Sequence, residues 1–234
     1  MTTEKVYPEG LIGKKIGMTQ IFTDDGSCVP VTVLRVGPCY VTAVKTREKD
    51  GYSAVQLGIE PKKQQRVNKA MRGHFAKAGK GAFYHVREVR CDVDALGWGT
   101  LGQELKPEDV FEEGEKVDVT GYSIGRGFSG VVRRFGVRGQ PATRGTHEAR
   151  RNIGSVGCRK FPGRIWKNQK MPGHMGNAKV TVQNLKVMGI RPEENVVLVK
   201  GAVPGAKGSL VIIRRAVKGY KPRAPKTADQ KEAA

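Results

Sequence analysis

Gly125-Arg-Gly-Phe-Ser-Gly-Val-Val-Arg-Arg-Phe-Gly-Val-Arg-Gly-Gln-Pro141 decides how this chain is divided. It opens a longer segment, Gly121 to Lys179, with thirteen Lys and Arg, one acid (Glu148) and twelve glycines. Apolar residues within it follow neither a helical nor a strand period, so no face can be buried. A segment that buries no apolar face cannot offset the conformational entropy of ordering itself. Strand-like hydrophobic sequence adjoins it on both sides. The expected organisation is therefore a folded domain that carries a long, irregular, basic excursion.

Charge follows the same division. The 234 residues carry a formal net charge of +20. Residues 1–120 hold 18 bases and 17 acids, net +1; residues 121–179 hold 13 and 1, net +12; residues 180–234 hold 11 and 4, net +7. Asymmetry of this kind points to a polyanionic partner. No apolar run approaches the roughly 18 residues of a spanning helix, and no basic segment has the apolar face of an interfacial anchor. Met1-Thr-Thr-Glu-Lys-Val-Tyr-Pro8 lacks a signal-peptide core, so a cytoplasmic protein without a membrane partner is expected. Cys28, Cys39, Cys91 and Cys158 include no C-x-x-C pair, which argues for reduced thiols and against a zinc site or disulfide framework.

Outside the basic segment the pattern is of short strands. Leu11–Phe22 suits a bent strand, and Asp25-Gly26 a hairpin turn. Val29–Val36, Tyr40–Thr46 and Tyr52–Ile59 read as strands, with breaks at Gly37-Pro38, Asp50-Gly51 and Pro61. Residues 62–80 are basic, with a helical pattern over Val67–Ala78, and belong to an insertion at about 61–110. Phe83–Val89, Gly114–Tyr122, Val180–Met188, Asn195–Lys200 and Ser209–Arg214 are further strands, and Pro107–Phe111 is a helical turn. The fold class expected is mainly β with minor α: a closed or split barrel from residues 1–120 and 180–216, an extension at 121–179, and a disordered tail at 217–234.

Gly125-Arg-Gly-Phe-Ser-Gly130 is a literal G-x-G-x-x-G. A dinucleotide fold also needs a long helix after it and an acid at a strand end about 20 residues on. The following sequence is broken by glycine and proline, and Glu148 lies in a basic, Gly-rich setting. The glycines instead suit close backbone approach to a phosphate chain. His147, Glu148 and His174 offer one carboxylate among thirteen cations, a poor basis for acid–base chemistry. No catalytic residue, cofactor, metal or small-molecule substrate is expected. Phe128 and Phe135 could form local core, whereas Phe161 and Trp166 lie among Arg159, Lys160, Arg164, Lys167 and Lys170. Aromatics interleaved with cations and turns suit irregular RNA, and no recognition helix for duplex DNA is evident.

Gly10-Leu-Ile-Gly-Lys-Lys-Ile-Gly-Met-Thr-Gln-Ile-Phe22, Gly73-His-Phe-Ala-Lys-Ala78, Gly125-Arg-Gly-Phe-Ser-Gly130, Met171-Pro-Gly-His-Met-Gly-Asn177 and Asn195-Val-Val-Leu-Val-Lys-Gly-Ala-Val-Pro-Gly205 occur in that order. Together they resemble the family of bacterial large-subunit ribosomal protein three. The resemblance implies a barrel of the translation-protein type and direct binding to 23S ribosomal RNA near its 3′ domain, early in subunit assembly. It implies an extension running toward the peptidyl-transferase centre, innermost around Arg150–Phe161, and neighbours such as large-subunit proteins fourteen and nineteen. Some relatives carry a methylated glutamine where this chain has Cys158-Arg159-Lys160, so that modification is not expected here. Candidate RNA-binding side chains are Arg126, Arg133, Arg134, Arg138, Arg144, Arg150, Arg151, Arg159, Lys160, Arg164, Trp166, Lys167, Lys170 and His174. Lys14, Lys15, His74 and Lys77 join them from outside the extension.

Overall fold

The structure, a computed structural model, describes residues 9–91 and 100–218. The chain forms two compact units, one up to Tyr122 and again from Val180, the other Ser123–Lys179. In chain order the strands are β1 (Gly10–Phe22), β2 (Cys28–Val36), β3 (Cys39–Lys45), β4 (Ala54–Lys62), β5 (Ala82–Val89) and β6 (Glu104–Leu105). They continue with β7 (Lys116–Tyr122), β8 (Phe128–Ser129), β9 (Gly173–His174), β10 (Lys179–Arg191), β11 (Val196–Lys200) and β12 (Leu210–Arg215).

In the first unit, six strands close into a barrel in the order β1-β12-β7-β10-β11-β2. Strand β1 closes it by pairing with β12 from Gly10↔Arg214 to Lys14↔Leu210, and with β2 as far as Phe22↔Cys28. Closure removes the free edges that would otherwise recruit other chains. The bend expected in β1 is a bulge between Lys15 and Gly17 that pushes Ile16 outward. The Asp-Gly turn forms as read: Thr23 N–H donates to Ser27 O at 3.1 Å, and Gly26 takes φ +74°.

Alternating Val, Ile and Leu fill the barrel: Leu11, Ile12, Leu34, Val119, Val199 and Ile213 are fully buried. Two polar devices brace the wall. The Arg215 guanidinium is nine-tenths buried and pairs with Glu115 and, at 3.6 Å, with Glu9. Buried Asp118 accepts the Asn184 N–H at 2.9 Å and the Val217 N–H at 3.2 Å, pinning β10 where Asn184 turns to φ +57°. Losing one member of such an arrangement leaves a buried charge unmatched.

The short strands of the first half do not all join the barrel. The chain leaves β2 at Gly37, whose φ of +92° requires glycine, and enters a separate four-stranded sheet ordered β5-β4-β3-β6. This sheet shares one hydrophobic core with the barrel, through Val41, Leu57 and Leu105 on one side and Leu11, Val36 and Val187 on the other. Phe111, at the end of the helical turn Pro107–Val110, lies fully buried in that shared core. Cys39 is buried there too, and burial pushes its thiol up to about 12, outweighing its hydrogen bond to Ile12 O. All four cysteines are free.

Three local expectations change. Asp50-Gly51 is the end of a helical turn, Arg47–Asp50, closed by Gly51 at φ +77°. Pro61 does not end β4: it pairs with Phe83, while β3 on the other side pairs only as far as Gly58. Its missing N–H therefore lies beyond the reach of β3, a setting proline tolerates. The basic helix is shorter than read, Lys69–Ala76; its start is set by the Asn68 side chain, which caps it by accepting the Met71 N–H at 2.9 Å. The expected tail beyond Lys218 lies outside the described residues.

Phe111→Ala removes the largest fully buried side chain of the shared core. It should cost about 3–5 kcal/mol in urea unfolding; a loss below about 1 kcal/mol would show that barrel and second sheet do not depend on one core.

Candidate nucleic-acid interface

The second unit begins as a narrow ribbon. Ser123 N–H donates to Ala178 O at 2.9 Å, Arg126 N–H to Met175 O at 2.8 Å and Met175 N–H to Gly127 O at 2.9 Å. Phe128↔His174 and Ser129↔Gly173 then pair as β8 and β9. Gly176 makes this root possible. It sits at φ +78°, and a Cβ there would lie 2.2 Å from Ile124 O. The G-x-G-x-x-G is thus one arm of the ribbon. Only a five-residue helix follows it, Val131–Phe135, ended by Gly136 at φ +66°. A dinucleotide site would need a full helix at that point.

Beyond the ribbon the chain is held by local backbone contacts. Gln140 N–H donates to Arg150 O at 3.0 Å and closes a loop over residues 140–150. Inside the loop Thr146 Oγ1 donates to Pro141 O at 2.7 Å, and the 3-10 segment Arg144–Arg151 kinks at His147, φ +44°. Residues 152–158 form no regular element. Within the unit only Ser129 and Val131 are buried, which matches a sequence without an apolar period.

The cations behave as a set. Arg126, Arg133, Arg138, Arg144, Arg150, Arg151, Arg159, Lys160, Arg164, Lys167 and Lys170 are exposed, and none forms an ion pair among the described residues. Arg134 is different. Its guanidinium donates to Met171 O at 2.7 Å, lies 4.8 Å from the centre of the Phe135 ring, and occupies space that a Cβ on Gly173 would take. It therefore ties the helix to the returning arm. Phe161 and Trp166 are 87% and 61% exposed. Phe128 and Phe135, for which local core was one reading, are 80% and 40% exposed, because a two-stranded ribbon has no second layer to cover them. His174 is exposed on β9, and His147, Glu148 and His174 make no hydrogen bond to one another.

The four candidates of the first unit are placed differently. Lys14 Nζ meets a Glu60 carboxylate oxygen at 2.6 Å. Lys15 Nζ donates to Val203 O at 2.8 Å and Gly205 O at 3.0 Å, fastening the 201–208 loop. His74 Nε2 lies 2.7 Å from Gln56 Oε1 and is half-buried. Of the four, Lys77 alone is exposed. Sequence reasoning had no signal for these partners, which come from distant strands and loops. Among the described residues no cluster of His, Cys, Asp and Glu could hold a metal ion, and no helix is long and apolar enough to cross a membrane.

The sequence is 51% identical over 213 residues to the large ribosomal subunit protein uL3 of Herpetosiphon aurantiacus, covering 91% of this chain and 98% of that one. The chain belongs to the ribosomal protein L3 family. The family's sequence profile, described as Ribosomal protein L3, matches residues 96–195, a span that contains the whole basic unit. The large ribosomal subunit protein uL3 of Trichlorobacter lovleyi is similar at 49% identity, covering 91% of this chain and 99% of that protein. Its counterpart in Anaeromyxobacter dehalogenans is 46% identical over 230 residues, covering 96% and 97%.

Gly176→Ala should break the ribbon root. Amide exchange at Arg126 and Met175 is expected to accelerate at least about tenfold, with barrel amides such as Val119 and Ile213 unchanged. Unaltered exchange at Arg126 would show that the close approach at Gly176 is dispensable.

Proposed function

We propose that the chain is a structural, non-catalytic constituent of the large ribosomal subunit, and that the 123–179 unit binds that subunit's RNA. The relatives that match nearly end to end carry the name of a large-subunit protein. The single observation behind the RNA reading is the eleven exposed cations without ion-pair partners, set beside open Phe161 and Trp166. Arginine and lysine neutralise phosphates, aromatic faces accept unstacked bases, and glycine-rich backbone comes close to a nucleic acid chain. Every α-helix among the described residues has eight residues or fewer, which suits irregular RNA better than the major groove of duplex DNA.

The finer assignment follows the family resemblance. The RNA is 23S ribosomal RNA near its 3′ domain, bound directly and early in assembly. The 123–179 unit extends toward the peptidyl-transferase centre, with Arg150–Phe161 innermost. Proteins fourteen and nineteen of the large subunit are neighbours, and the setting is the cytoplasm. All the candidate side chains of the unit keep their assignment, with Arg134 acting mainly through the ribbon it braces. Lys77 is the readiest contact of the other four, since Lys14, Lys15 and His74 already hold internal partners.

Deleting Arg126–Gly176 joins Gly125 to Asn177, which already lie side by side: a Cβ on Gly125 would stand 3.7 Å from Asn177 Cβ. The deletion variant should keep its β circular-dichroism signal. Its affinity for a large-subunit RNA fragment should fall by at least about 100-fold in filter binding at physiological salt. Unchanged affinity would contradict the proposal.

A further inference from the structure

A cleft of about 410 Å³ opens within the first unit, between the barrel and the four-stranded sheet. Its floor is apolar, formed by buried Ile59 and Phe83 and the half-buried Tyr40, with exposed Pro61 also lining the cleft. The aromatic rings pack on one another: Tyr40 stacks on Phe83 with centroids 5.5 Å apart, and Phe83 meets Phe75 edge-on at 5.9 Å. The mouth is cationic, with Lys14 from β1, Arg35 from β2 and Lys80 from the loop before β5.

Two features of that mouth point to an anion. Lys14 and Arg35 are direct cross-strand partners in the β1–β2 register, and like charges so placed repel. The cleft's one carboxylate, Glu60, takes Lys14 at 2.6 Å. Glu60 reaches that position at φ +61°, in the left-handed region that non-glycine residues rarely occupy. Arg35 and Lys80 then have no ion-pair partner among the described residues. A ligand that satisfies both floor and mouth has a flat apolar body and an anionic end. The volume is of the order that holds one small organic ligand, for which clefts start at about 300 Å³.

We propose that this cleft takes a single unpaired nucleotide of the bound RNA. The base lies against Tyr40, Ile59 and Pro61, and the phosphate meets Arg35 and Lys80. The proposal rests on the RNA-binding reading above and adds a second contact, remote in sequence from residues 123–179. Sequence reading missed Arg35 and Lys80 because only the pairing of β1 with β2, and the packing of the second sheet on the barrel, bring them together. An acidic peptide from a neighbouring protein is the competing occupant, disfavoured because the apolar lining includes the Tyr40 ring, a flat face that suits a base better than a carboxylate side chain.

The test uses the full chain bound to a large-subunit RNA fragment carrying 4-thiouridine, irradiated and mapped by mass spectrometry. A crosslink in the Tyr40 or Ile59–Pro61 peptide is expected, together with those in 123–179. The double variant Arg35→Ala, Lys80→Ala alters two exposed side chains and should remove the cleft crosslink. It should also lower the salt slope of binding by about one, the loss of one phosphate contact. Crosslinks confined to 123–179, with an unchanged slope, overturn the cleft and leave the proposed function standing. Cleft crosslinks to protein alone in reconstituted subunits overturn it in favour of a peptide. No RNA binding by the intact chain overturns both readings.

Discussion

Uncompensated positive charge is the constraint on which the rest depends. Thirteen cations share the segment 121–179 with Glu148 alone. Such a set cannot neutralise itself, and its exposed members find no ion pairs among the described residues. Backbone bonds and small devices supply what order the unit has: the Ser123–Ala178 and Arg126–Met175 bonds, the Arg134–Met171 tie and the Gln140–Arg150 closure. Each satisfies a polar group locally without burying apolar surface. The neutralising charge must come from elsewhere, and phosphate supplies it in the proposed function.

The first unit solves the opposite problem. With nearly balanced charge in residues 1–120, it can bury a continuous core and close its sheet. Barrel and second sheet share that core through Phe111, Leu57 and Leu105. Several of its basic side chains serve the fold. Lys15 fastens the 201–208 loop and Arg215 joins Glu9 to Glu115. A basic residue in this protein is therefore not by itself an RNA contact, and the partner it already holds decides.

Legibility in the sequence tracked locality. The bent β1, the Asp25-Gly26 turn, the β5 strand and the short helical turn at Pro107 rest on neighbours within a few residues, and each was readable. The G-x-G-x-x-G could be set aside because the residues after it are too broken for a helix, and the structure has five helical residues there. The division of short strands between barrel and second sheet was not readable. It depends on pairings such as Cys39↔Leu105 and Gly58↔Val86, which no local pattern specifies. Phe128 and Phe135 misled for a related reason: an aromatic says nothing about whether a second layer exists to cover it. Lys15 was likewise opaque, since its carbonyl partners lie 188 and 190 residues away.

The salt dependence of binding between the intact chain and a large-subunit RNA fragment tests the central claim most directly. If about eight of the exposed cations neutralise phosphates, log affinity should fall against log salt with a slope of about −6 to −7. A slope shallower than about −2 would mean that the unpaired charge of residues 123–179 does not meet the RNA backbone, and would contradict the account.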